Sequence, residues 1–386
     1  MTALDALRAR ARALASLGRR ARPVRFASAS EVFPGVEHVP LLAAETIPTP
    51  EFERAPVIHD VPEYASATFT APAVFAAILP DVLFCPVNNV ALLDDGTVIA
   101  ETMLNLPHPS LLDPHALSAR RVERLPGLHT ALRTAHNNYF HTLIDNGGRL
   151  AMLAHPAIRA MGPLGLLVRG ELSPIERPLV DAFRPPHVSI TPLRNRRLYR
   201  VERYLLVSRM TPLHAGYVRE PFTSRVREAL GARPTGGPTR KLYTSRAGAH
   251  MRPVLNEDAV AERLGRRGFE RVFLDGKTLQ EQVDLFRDAT HVVGPHGAGM
   301  TNLLWATDAA AVEVFASPHL VPDYVFLSRA LGHRHTVLYG DGAHRDDPLT
   351  IDLGAVERAL DALDAGGPGT LPDPLSNPPP AVSAVP

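Results

Sequence analysis

In the stretch "HNNYFHTLIDNGGRL", His141 and Asp145 lie four residues apart, a spacing that puts both side chains on one face of a helix. A carboxylate bonded to an imidazole fixes the ring's tautomer and raises its basicity, which suits a general base. The plain alternative is a structural bond, because Leu143, Ile144 and Leu150 show that the same helix also faces a core. A second group of residues lies in "HVVGPHGAGMTNLLWA", where an apolar strand runs into a glycine turn and then a helix. Gly297 and Gly299 lack β-carbons, so backbone amides can approach an anion closely. The helix starting near Ala298 turns unsatisfied N–H groups and its positive dipole end toward the same point. His296 adds a donor for a phosphate or ribose oxygen, Thr301 or Asn302 adds another, and Pro295 stiffens the approach. Arg246 and Arg252 flank the loop after an earlier strand, where their forked guanidinium groups suit a phosphate. Glu313, an acid inside the apolar "AVEVFA", is expected to accept from ribose hydroxyls, or else to serve in an ion pair.

Other chemistries find little support. The chain has no Asp-x-Asp triplet, no His-Glu-x-x-His and only one cysteine, so no metal cluster is expected. Cys85, between Phe84 and Pro86, reads as a small buried hydrophobe, and a reducing compartment fits. The 41 basic and 40 acidic side chains nearly cancel to a net charge of +1, against a nucleic-acid partner held by phosphate neutralisation. Only Lys241 and Lys277 are lysines; the other basic residues are arginines. No run approaches the roughly 20 apolar residues of a membrane span, so a cytoplasmic protein is expected. Near the N-terminus, Leu4, Leu7, Leu14 and Leu17 share a helical face amid arginines. That segment is expected to lie on the domain, with peripheral contact to the inner membrane face or organelle targeting as the alternatives.

The elements that must position these residues fall into two halves. Residues 1–80 form a proline-punctuated, irregular and helical lead-in to an N-terminal domain that ends at 230. Within it, Asp94-Asp95-Gly96 marks a hairpin turn. "GARPTGGPTR", residues 231–240, reads as a linker. From 241 to 365, strands alternate with helices of about ten residues, the grammar of a parallel sheet covered on both faces. Asn256 is a plausible cap for one helix, and Thr278 with Glu281 has capping-box spacing for another. The tail 366–386, rich in proline, is expected to stay flexible.

A dinucleotide fingerprint would be spelled Gly-x-Gly-x-x-Gly at the first strand, with an acid about 20 residues on. Here the order is Gly-x-x-Gly-x-Gly, late in the domain, although Glu313 does fall near the expected distance. A nicotinamide-dependent oxidoreductase is therefore the weaker enzyme reading. A binding protein without turnover is a third.

The ordered set Ser245-Arg246, Asn256-Glu257, Gln282 to Phe286, Gly294 to Gly299, and Asn138-Tyr139 with His141 resembles the core of glycosyltransferase family 61. Thr142 stands where the family usually has tryptophan and Gly148 where proline is common, both on the expected acceptor side. The resemblance implies an α/β GT-B fold, with two Rossmann-like domains facing a central cleft. It also implies an inverting, metal-independent transfer from a nucleotide-sugar, usually a UDP-sugar, to a glycan or lipid-linked glycan acceptor in cell-surface or capsular polysaccharide synthesis. No cofactor beyond the donor is implied. The donor site would comprise Arg246, Arg252, Asn256, Pro295, His296, Gly297, Ala298, Gly299, Asn302 and Glu313. His141, oriented by Asp145, would be the base, or Asp145 itself, and closure of the two domains about the linker would complete the site.

Overall fold

A computed structural model describes residues 24–48, 58–59, 68–103, 109–118, 121–135, 138–195, 197–211, 215–237, 239–248, 251–317 and 319–366. The arginine-rich N-terminal segment and the proline-rich tail beyond Gly366 lie outside these residues. The fold is mixed α/β, built on two main sheets. No helix among the described residues is long and apolar enough to cross a membrane.

The larger sheet has nine strands. Its long strands Val74–Cys85 and Leu198–Val207 pair antiparallel. On the far side of Leu198–Val207, the strands Val122–Ala131, Leu164–Arg169 and Val188–Leu193 follow in parallel. Only this side has the strand–helix–strand build expected of a Rossmann-like domain. The other side is mainly antiparallel, because Val74–Cys85, Val90–Leu92 and Val98–Ile99 are joined by short turns rather than crossover helices, while Phe26–Ala27 pairs parallel to Val98–Ile99. One such turn is the expected hairpin, in which Gly96, at φ 87, links Val90–Leu92 to Val98–Ile99. The N-terminal half is thus a mixed sheet rather than a doubly wound one, which corrects the expectation for that domain.

The smaller sheet has five strands, all parallel, in the spatial order Phe269–Val272, Arg240–Thr244, Ala289–Pro295, Ala310–Phe315, Arg334–Tyr339. All six residues of Ala310–Phe315 are buried, as a strand covered on both faces requires. The crossover helices follow the sequence signals closely. Leu279–Phe286 opens with the full capping box of Thr278 and Glu281. Asp323–Leu331 ends at Gly332 in the left-handed conformation. Two elements differ from expectation. The segment Ala298–Trp305 is a 3-10 helix rather than an α-helix. The helix Leu353–Asp364, not among the expected elements, buries Val356, Ala359, Leu360 and Leu363.

The residues between the two sheets do not hang free. Thr235 donates from its backbone N–H and its hydroxyl to Asp288, at 2.7 and 2.9 Å. One apolar core also runs through both halves, joining Leu143, Ile144 and Leu205 to Val292, Leu303 and Trp305. Opening the molecule about residue 235 would expose part of that core, at about 25 cal/mol for each Å² of apolar surface.

Candidate active site

Read in chain order, the five parallel strands lie 2-1-3-4-5, so the winding direction reverses between the strands Arg240–Thr244 and Ala289–Pro295. Ligands of such sheets bind at that reversal, beyond the carboxyl ends of the strands. The two loops leaving this point are Ser245 to Arg252 and His296 to Gly299, which hold most of the anion-binding residues expected from the sequence. Pro295 closes the second strand and pairs in register with Val314.

Side-chain packing explains the glycines. A β-carbon on Gly294 would collide with the Thr244 hydroxyl, so this glycine lets the two strand ends close up. A β-carbon on Gly297 would overlap Nη1 of Arg246, so this glycine lets the guanidinium come close to the turn. A β-carbon on Gly299 would meet the end of the Leu274 side chain, so this glycine also makes room for packing. Met300 N–H donates to Gly297 O at 2.9 Å, which leaves the amides of Ala298 and Gly299 ahead of the first helical bond.

Arg246 donates from Nη2 to Met251 O at 2.7 Å, while its Nε is buried without a partner. Arg252 takes the left-handed backbone conformation, φ 55, uncommon for a residue with a side chain. Among the described residues, its ionic contact is Nε to Asp346 at 3.7 Å. Burial, and after it the charge of Arg252, holds the Arg246 guanidinium below its ordinary pKa. Two desolvated cations at the end of a sheet's switch point form a place where an anion gains and both arginines are relieved.

His296 lies behind this pair, its ring stacked on Phe315 at 4.5 Å. Its Nδ1–H donates to Glu313 at 2.5 Å, and the second oxygen of Glu313 accepts from His335 Nε2–H at 3.1 Å. Glu313 is fully buried, with both oxygens taken, so it cannot receive ribose hydroxyls. That expectation is corrected to the ion-pair alternative. Burial alone would raise the Glu313 carboxyl, but His296 and His335 together hold it below its usual range. Burial in turn holds the His296 imidazole low, outweighing the pull of Glu313.

Two further expectations are corrected in the same way. Asn302 is fully buried and its amide is spent. Its oxygen accepts from Tyr139 Oη–H at 2.7 Å and Trp305 Nε1–H at 3.0 Å, and its nitrogen donates to Gln282 at 2.9 Å and Gly299 O at 3.0 Å. It is a hub joining the helix Tyr139–His141, the Gln282 helix and the glycine loop rather than a group open to a ligand. Asn256 does not cap its helix; its side chain clasps the backbone of Ile351 through two bonds, at 2.8 and 3.0 Å.

His141 and Asp145 are paired as expected, Nδ1–H donating to Oδ2 at 2.6 Å, with the side chains 16% and 12% exposed. Asp145 belongs to a π-helical turn, Thr142–Asn146, set between Tyr139–His141 and Gly147–Met152; such turns concentrate at functional sites. Burial opposes protonation of His141, but the bond and charge of Asp145, with the charge of Asp323, raise its pKa overall. Asp323 and Tyr324 are the site residues that sequence reading missed. Tyr324 lies edge-on to Phe140 at 5.6 Å and 5.3 Å from the His296 ring, while Phe140 meets the His141 ring at 5.3 Å. These rings connect the two clusters across the molecule. Gly216, with its N–H donating to Asp323 O at 3.0 Å, permits the approach, since a β-carbon there would strike that carbonyl.

The structure therefore gathers Arg246, Arg252, His296 and the Gly297–Gly299 turn at one point and sets His141–Asp145 beside it. Among the described residues, no three His, Cys, Asp or Glu side chains are arranged to hold a metal ion. Compared with protein families, residues 139–313 match the model of glycosyltransferase 61. No curated protein matches the chain.

Proposed function

We infer that this chain, whose residues 139–313 belong to glycosyltransferase family 61, is an inverting enzyme that moves a sugar from a nucleoside diphosphate, UDP in the first instance, to a glycan hydroxyl. The observation that carries the reading is the meeting of Arg246, Arg252 and the glycine turn at the switch point of the parallel sheet. There the departing diphosphate gains from two guanidinium groups and the leading amides of a helix, the role a divalent ion has in other transferases. Across the ring contacts, His141 takes the proton of the acceptor hydroxyl as that oxygen attacks the anomeric carbon on the face opposite the leaving group. Asp145 holds the proton on Nδ1, which leaves the lone pair on Nε2. A general base of this kind contributes about 10²- to 10⁴-fold. The two sheets then correspond to the acceptor and donor halves of a GT-B enzyme, with the acceptor a glycan or lipid-linked glycan of a cell-surface polysaccharide.

The burial of Glu313 speaks against the nicotinamide alternative, since a dinucleotide site needs an acid free for the ribose. UDP in excess chelator is expected to raise the melting temperature, with the gain lost in Arg246→Ala, while NADH has no effect. Stabilisation by NADH but not by UDP would replace this function with the oxidoreductase one.

A further inference from the structure

Behind the glycine loop, polar side chains run in an unbroken line from the crevice into the core. His296 Nδ1 meets one oxygen of Glu313, the other oxygen meets His335 Nε2, and His335 Nδ1 meets Ser328 Oγ at 2.7 Å. Glu313 and Ser328 are fully buried and His335 is 6% exposed. A carboxylate only accepts, so both histidines must present N–H groups to Glu313. His335 then has its lone pair on Nδ1 and accepts from the Ser328 hydroxyl. His296 has its proton on Nδ1 and its lone pair on Nε2. The ring cannot easily turn over, because Phe315 stacks on it, Tyr324 abuts it, and its own backbone N–H is bonded to Val314 O at 2.8 Å.

A lone pair on Nε2 repels a phosphate oxygen instead of binding it. We propose that Glu313, backed by His335 and Ser328, is a positioning residue that fixes this tautomer, so that a diphosphate on the glycine loop binds together with one proton added to His296 Nε2. The proposal takes the nucleoside diphosphate of the proposed function as its ligand. The proton comes from the buffer acid: Nε2 gains an N–H bond, the ring gains one positive charge, and the new N–H donates to the diphosphate. On release of the nucleotide the proton returns to solvent. Every charged or titratable group facing the ring bears on this balance. Glu313 and His335 come from the neighbouring strands, Arg246 and Arg252 from the first loop, and Tyr324 and Asp323 from the helix Asp323–Leu331. The burial and the two arginines that keep the empty site's imidazole neutral are offset once the anionic diphosphate stands between them.

Proton linkage tests this directly. Calorimetric titration of the full chain with UDP at pH 7.5, repeated in buffers of different ionisation enthalpy, is expected to show uptake of about one proton per UDP bound. In Glu313→Gln the uptake falls by at least half, because the charged imidazole loses its counter-ion; a purely structural loss would weaken binding without changing the number of protons. Should that variant fail to fold, 15N NMR of histidine-labelled wild type decides the matter. Nδ1–H is expected alone without UDP, and both nitrogens protonated with it. UDP binding without proton uptake, or an Nε2–H tautomer in the empty site, overturns the proposal while the function stands. A wild type that binds no UDP removes both.

Discussion

Replacing Gly297 with alanine separates the anion site from the rest of the fold. The new β-carbon overlaps Nη1 of Arg246 and stands 3.3 Å from its Cζ. It meets the mobile end of a long side chain, so the cheapest response is for the guanidinium to swing out of the crevice. The backbone resists little, since Gly297 is extended at φ 162, ψ 172. The stability change is then the bond from Arg246 to Met251 O, about 1 kcal/mol. Donor binding changes more. A charge-assisted contact from guanidinium to phosphate contributes about 1.5–3 kcal/mol, so its loss weakens UDP affinity about 10- to 150-fold. Titration calorimetry with UDP, alongside thermal unfolding, measures the two effects separately. The double variant with Arg246→Ala supplies the sharper criterion: both changes remove one contact, so their costs should not add. Wild-type affinity in Gly297→Ala, or full additivity with Arg246→Ala, would refute the placement of Arg246 on the donor.

Further outcomes are expected. His141→Asn lowers kcat by about 10²- to 10⁴-fold. Because Asp145 raises the His141 pKa, activity falls as pH drops through a value above that of an ordinary imidazole, and Asp145→Asn moves this acid limb of kcat/KM to lower pH. The same pair stabilises the fold fully below the unfolded pKa and loses that contribution as pH rises, so Asp145→Asn costs more stability at pH 5 than at pH 9 in urea unfolding. Tyr139→Phe removes one bond from Asn302 and costs about 1 kcal/mol, whereas Asn302→Ala strands the groups of Tyr139, Trp305 and Gln282 and costs about 3 kcal/mol or more by denaturant titration. Gly216→Ala forces the Asp323 carbonyl away and costs about 1–3 kcal/mol, with a matching loss of kcat as the groups around His141 shift.

What the sequence made legible was local. The strands of the smaller sheet and the capping box at Thr278 follow from patterns spanning a few residues, and the His141–Asp145 bond follows from helical spacing. What it hid was long-range pairing. An asparagine in a glycine-rich turn looks the same whether it faces a ligand or, like Asn302, binds a tyrosine 163 residues away. Glu313 likewise fits a ribose acid or an ion-pair partner from its strand alone, and it is His335, on the neighbouring strand, that holds its second oxygen. Asp323 had a signal, an acid at a helix start after proline in "VPDYVF", but nothing local ties it to His141. In the larger sheet the hairpin at Gly96 was legible from its turn residues, whereas the pairing of Val74–Cys85 with Leu198–Val207, far apart in the chain, was not.

The Asn302 hub also limits how this chain can be recombined. A chimera joined in the segment 231–237 would keep every strand of both sheets intact, yet it would pair a tyrosine from one parent with an asparagine from the other. The two halves are therefore best inherited as a matched set, and a grafted N-terminal half keeps the full hub when the incoming helix brings a phenol at the height of Tyr139.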